Sequence, residues 1–155
     1  MQKYTAKILM AISLLTIGGL TAANAQIESD SVFRINVPFA FEVKNKTLPA
    51  GEYQIKATDD LGDAPTLLEI QSLKGPHEGV VFDTVPISLN DAPKKSNIVF
   101  DKVGSDYYLS EIWEAGNSNG NQVEEPVNMK KLEKDGMKAE KQVIQTERTK
   151  KKATE

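Results

Sequence analysis

The chain has 155 residues, 39% of them hydrophobic and 26% charged, with 19 Lys and Arg against 22 Asp and Glu, one His and no Cys. Without cysteine there is no disulfide framework, no Cys-ligated zinc or iron-sulfur centre and no thiol nucleophile, and one histidine cannot build a multi-histidine metal site. A formal charge of −3 lacks both the basic stripe of a nucleic-acid binder and the charge excess of a disordered chain, so the composition predicts one ordinary folded domain.

The first 25 residues have the order of a secretory signal: Lys3 and Lys7, an apolar run from Ile8 to Leu20, then the small residues Ala23-Asn24-Ala25 ahead of a cut between Ala25 and Gln26. The apolar run contains Gly18 and Gly19 and is shorter than the roughly 20 residues a spanning helix needs. No later run reaches that length. The expected product is an exported protein, periplasmic or extracellular, with no membrane span in its mature form, 17 bases and 22 acids, and a hydrophobic core as its main source of stability.

From Phe33 apolar residues fall on alternate positions, Phe33, Ile35, Val37, Phe39, Phe41 and Val43, which is the period of a half-buried strand. Pro38 interrupts the run without shifting its phase, as at a sheet edge or a bend between two short strands. Leu48-Pro49-Ala50-Gly51 reads as a turn, and Tyr53, Ile55 and Ala57 resume the alternation up to a loop from Asp59 to Pro65. Further strands are predicted at Thr66 to Ser72, Gly79 to Asp83, Asn97 to Val103 and Asp106 to Trp113, punctuated by Lys74-Gly75-Pro76, Asn90-Asp91-Ala92-Pro93 and Gly104-Ser105. The expected fold is therefore all-β, an antiparallel β-sandwich or small β-barrel of six to eight strands occupying residues 26–123. Residues 124–155 are expected to form a charged tail, partly helical or disordered. A weak helix starts at Pro126 and carries Met129, Leu132, Ala139 and Val143 on one stripe, with Gly136 where that stripe lacks a residue.

Several constellations have a chemical reading beside a plain one. Gly116-Asn117-Ser118-Asn119-Gly120 matches the nucleophile-elbow spacing, but the only histidine, His77, precedes Ser118, the reverse of the order that elbow requires. A loop composition explains the match. His77 sits in a turn-like segment with no nucleophile beside it. Asp59, Asp60 and Asp63 offer oxygen ligands without the spacing of a calcium loop. Asn45-Lys46-Thr47 is a formal glycosylation sequon, and the Lys residues after Lys130 are interspersed with acids, as on a solvated face. Glu111 and Glu114 are the carboxylates an enzyme would have to bring together, and no spacing forces that meeting. The sequence thus implies no catalytic residue, no metal and no cofactor.

The side chains best suited to binding are Phe100, Tyr107, Tyr108 and Trp113. On a regular strand Tyr107, Leu109 and Trp113 share one face while Tyr108 and Ile112 share the other. Either all are core, or one face presents an aromatic platform to a sugar ring or a lipid.

The blocks Val37-Pro38-Phe39-Ala40-Phe41-Glu42-Val43 and Lys46-Thr47-Leu48-Pro49-Ala50-Gly51-Glu52-Tyr53-Gln54-Ile55, followed by Val99-Phe100, Gly104 and Tyr108-Leu109-Ser110-Glu111-Ile112-Trp113, resemble a family of small exported bacterial proteins common in acidobacteria. The resemblance spans about residues 32 to 116, and L-P-A-G-x-Y is its most specific element. Asp101-Lys102 and the ending from Glu124 depart from the family's pattern. The resemblance implies export and an all-β domain, and no mechanism. The sequence thus points to an exported, non-enzymatic binding or structural module, with envelope glycan, lipid or another copy of itself as partner and no nucleic acid. The alternative is a small barrel carrying an apolar ligand among Phe39, Phe41, Tyr53 and Phe100.

Overall fold

A computed structural model of the chain describes residues 31–58, 67–75 and 79–150. The signal-like segment with its cut site, the loop carboxylates Asp59, Asp60 and Asp63, and His77 lie outside the described residues. The elements are β1 (Ser31–Val37), β2 (Phe41–Val43), β3 (Lys46–Leu48), β4 (Gly51–Ala57), β5 (Leu67–Ser72), β6 (Gly79–Ser88), β7 (Ser96–Val103), β8 (Asp106–Trp113), β9 (Asn119–Val123), α1 (Val127–Lys134) and β10 (Ala139–Lys150).

The sheet order is β3-β2-β8-β7-β10-β1-β4-β5-β6-β9, and a further pairing joins β9 to β8. That pairing closes an antiparallel ring of eight strands, a small barrel, with the β2–β3 hairpin attached outside the ring through one parallel bridge, Glu42 to Tyr108. Two long strands turn the corners. β6 pairs with β5 through Gly79–Asp83 and with β9 through Thr84–Ser88; β10 pairs with β7 through Ala139–Thr146 and with β1 through Glu147–Lys150. Strands that change partners in this way let one continuous sheet fold over itself around a single core.

The alternation from Phe33 does what a period of two requires. Phe33, Ile35, Val37, Phe41 and Val43 are all buried in the main core, where they meet Ile55, Leu68, Ile70, Phe82, Ile98, Leu109 and Ile112. Pro38 lies in the bend between β1 and β2, so its missing N–H costs the ladder nothing. Tyr53 donates its phenol hydrogen to the Pro49 carbonyl at 2.6 Å, and a β-carbon on Gly51 would lie 3.5 Å from the same ring. The L-P-A-G-x-Y block is thus a self-locking corner between β3 and β4. Gly104, at φ +64, opens the two-residue turn joining β7 to β8, where a positive φ favours glycine.

The barrel ring has eight strands, within the expected number; the β2–β3 hairpin adds two more among the described residues, and its one parallel bridge makes the sheet mixed. Two expectations need correction. The strand at Gly79 does not stop at Asp83: it runs on through Pro86 to Ser88, because β9 pairs with its second half. The helix after Pro126 covers only Val127–Lys134, and the second half of its expected stripe, including Ala139 and Val143, belongs to β10.

Gly136 supplies the reason for that last difference. Its φ is +91, its N–H bonds to the Glu133 carbonyl at 3.0 Å, and the Met137 N–H bonds to the Leu132 carbonyl at 3.1 Å. This is a Schellman stop, which glycine favours because it reaches positive φ without a β-carbon clash. Lys131 and Lys134 occupy the last turn, where their charge complements the helix dipole. The segment beyond is rich in β-branched residues, Val143, Ile144, Thr146 and Thr149, and the β7 edge decides its conformation.

Candidate functional site

The four aromatic residues singled out for binding occupy four separate environments. Phe100 is fully buried inside the barrel. It meets Phe41 edge to face with ring centroids 5.2 Å apart, and Phe41 meets Tyr53 in the same way at 5.2 Å. These are the residues that would line a carrier's chamber, and they pack against one another with favourable edge-to-face geometry. Phe39, contributed by the β1–β2 bend, packs its edge against Phe100 at 5.3 Å.

Tyr107 is half-buried at the rim. Its ring stacks on Phe39 with centroids 3.8 Å apart and an interplanar angle of 14°, while the Lys102 ammonium sits 5.8 Å from its centroid. The stacked Phe39 ring and the nearby Lys102 ammonium both engage the phenol ring, so Tyr107 takes part in the packing at the rim. Tyr108 points the other way. It is buried outside the ring in a small second cluster with Val103 and Met129, and with Leu132 packed against it, so α1 acts as its cover. Burial holds the Tyr108 hydroxyl above its ordinary pKa, with help from the Asp106 and Glu42 carboxylates. Asn128 of α1 donates to Glu42 at 2.7 Å, tying the cover to the β2–β3 hairpin.

Trp113 is buried, also outside the main core. Its indole N–H donates to Glu111 at 2.7 Å, and Lys141 of β10 donates to the other oxygen of the same carboxylate. β7 lies between these two strands, and its Val99 is 5% exposed although it is not part of the barrel core. Glu111 is fully engaged by an indole and an ammonium. The Lys141 pKa is raised, chiefly by its hydrogen bond to Glu111, against the desolvation that opposes it.

A bulge explains why the expected facing of this strand was only partly right. The β7–β8 register shifts between Val99 and Phe100, whose partners are Glu111 and Leu109, leaving Ser110 as the additional residue. Leu109 and Ile112 therefore both enter the core although they are three apart. Trp113 consequently leaves the face it was expected to share with Leu109. Nothing in the sequence marks Ser110 as a bulge.

Ser118 lies in the connection from β8, and the residues after it form β9, where a nucleophile elbow would need a helix. Among the described residues no three of His, Cys, Asp and Glu come together to hold a metal ion, and no helix is long and apolar enough to cross a membrane. Two of the open surface grooves are formed by described residues. One of about 370 Å³ lies along Pro49, Gly51, Glu52, Ser72 and Lys74, where Lys74 and Glu52 pair at 2.9 Å. The other, about 410 Å³, is lined by Asp83, Val85, Gln122, Glu124, Glu125 and Lys130.

No family model, curated protein or solved structure matches the chain. What the chain is rests on its own geometry: an all-β barrel with one short helix among the described residues, in a sequence without cysteine.

Proposed function

We propose that the protein is an exported, non-enzymatic binding or structural module that acts through the outside of its barrel. The observation that carries this reading is the packing of Phe41, Tyr53 and Phe100, each 1% exposed or less, at the place where a carrier of apolar ligands would keep its chamber. Rings in edge-to-face contact leave no seat for a ligand between them unless they move, and the cost of opening a packed aromatic core opposes that movement. Engagement of Glu111 by Trp113 and Lys141, together with the strand that follows Ser118, favours the non-enzymatic reading.

Export is supported by the Lys3, Lys7, Ile8 to Leu20 and Ala23-Asn24-Ala25 pattern, and by the resemblance to small exported bacterial proteins. The partner class is an envelope polymer, glycan or lipid headgroup, or another copy of the chain, met on the barrel's exterior. Native mass spectrometry of the protein, gently purified from the envelope fraction of its host, tests the proposal. The expected species begins at Gln26 and carries no small apolar adduct. A chain still beginning at Met1 would contradict export, and a lipid-sized adduct released on denaturation would contradict the surface-acting reading.

A further inference from the structure

β10 has two halves with different neighbours. Ala139–Thr146 pairs with β7, and Glu147–Lys150 pairs with β1 on the opposite side. Among the described residues, the stretch from Ala139 to Gln145 therefore has a strand on one side only. Its exposure is unusual for the middle of a sheet order: every residue from Ala139 to Val143 is exposed, Val143 at 48%. A strand edge presents a row of backbone donors and acceptors that another extended chain can satisfy.

We propose that two copies of the chain pair antiparallel along this edge, with a two-fold axis at Gln142. The facing of the side chains limits the register. Ile144 lies opposite Ile98 and packs against the barrel core, so even-numbered residues of this stretch face inward and odd-numbered ones outward. In a sheet continued through a two-fold axis, inward residues must meet inward residues, which requires the axis to pass through a residue. An axis at Lys141 would oppose two lysines and one at Glu140 two glutamates, both unfavourable. Gln142 is the midpoint of 139–145, so an axis there overlaps the whole stretch with its copy.

That register has complementary contents. Gln142 meets Gln142, an amide that donates and accepts equally well. Lys141 meets Val143, and because the Lys141 ammonium is already held by Glu111, its aliphatic stem is placed to cover the exposed valine of the other copy. Glu140 meets Ile144, and Ala139 meets Gln145, so no like charges are directly opposed. Association along one ladder of this length is reversible and concentration-dependent. The proposal rests on the surface-acting reading only in placing the contact outside the barrel; a lipid adduct would overturn that reading and leave this one standing.

The absence of cysteine permits a clean test. Gln142→Cys puts two thiols on the axis, at the ~4.5–5.5 Å Cβ spacing of directly opposed antiparallel residues, and mild oxidation is expected to give a covalent dimer. Glu140→Cys alone places its two thiols about 13 Å apart, four residue rises along the ladder, and is expected not to link; mixed with Ile144→Cys it is expected to link. Sedimentation of the uncrosslinked protein supplies the second readout. Val143→Lys opposes Lys141 and is expected to weaken the dimer about three- to tenfold, whereas Val143→Glu is expected to strengthen it by a similar factor. Circular dichroism checks that each variant is folded. A parent chain that stays monomeric up to about 1 mM, a Glu140→Cys variant that links as readily as Gln142→Cys, or Val143 variants that shift the dimer in the same direction would each overturn the proposal.

Discussion

Trp113 lies against Gly120 so closely that a β-carbon on the glycine would sit 2.4 Å from the Trp113 Cε3 and 2.8 Å from the Ile112 carbonyl oxygen. The two residues face each other across the β8–β9 pairing that closes the ring. Gly120→Ala is therefore expected to destabilise the fold by about 2 kcal/mol or more, through overpacking against a ring and a backbone atom that cannot both retreat. Trp113 is the only tryptophan, so urea unfolding followed by its fluorescence reads the loss directly. An unchanged midpoint would mean that the closure tolerates a side chain there.

The corner formed by Tyr53 and Pro49 makes a second, milder prediction. Tyr53→Phe removes the 2.6 Å hydrogen bond to the Pro49 carbonyl and keeps the ring that fills the core. The expected cost is about 1 kcal/mol, the usual net worth of such a bond. The circular dichroism spectrum should not change. A loss several times larger would show that the L-P-A-G-x-Y block does more than lock a turn.

Lys44 occupies the two-residue turn between β2 and β3 at φ 57, the only non-glycine positive φ among the described residues. Its ammonium pairs with Asp83 at 3.0 Å, with both side chains about half exposed, so the pair contributes little. Lys44→Gly relieves the left-handed backbone strain and is expected to raise stability by about 0.5–1 kcal/mol. A lower thermal midpoint would mean that the Asp83 pair outweighs that relief.

Alkaline pH is expected to weaken the fold through two groups. The Lys141 pKa is raised above 10.5 by Glu111, so its contribution is fully present below that value and is lost as pH rises through the folded pKa. The Tyr108 pKa is raised above 10.0 by burial; above pH 10 the unfolded chain gives up the phenolic proton first, which again favours unfolding. The urea midpoint should hold at neutral and mildly alkaline pH and fall as the pH rises past about 10, where the unfolded-state groups begin to lose their protons. Tyr108→Phe should flatten part of that fall, and an unaltered slope in this variant would remove Tyr108 from the explanation.

Much of the barrel was legible because β1, β2 and β4 bury one face each, and a half-buried strand writes a period of two into the sequence. Phe33 to Val43 and Tyr53 to Ala57 were read on that basis. β10 left no such mark: exposed on both faces from Ala139 to Val143, it has no hydrophobic phase, and its Met129-to-Val143 spacing imitated a helix. Gly136 was the signal that separates the two, since a glycine just past the lysines of a last turn ends a helix more readily than it interrupts one. The candidate binding residues were harder to place. Burial of Phe100 follows from its strand, but the split of Tyr107, Tyr108 and Trp113 depends on the bulge at Ser110 and on α1 packing over Tyr108, and both are tertiary facts.

The central claim is that the barrel is filled and works from its exterior, and titration with an apolar fluorescent reporter such as N-phenyl-1-naphthylamine tests it most directly. No saturable enhancement is expected with the folded protein, because Phe41, Tyr53 and Phe100 occupy the interior. Saturable one-to-one binding displaced by a fatty acid would contradict that claim and make the barrel a carrier.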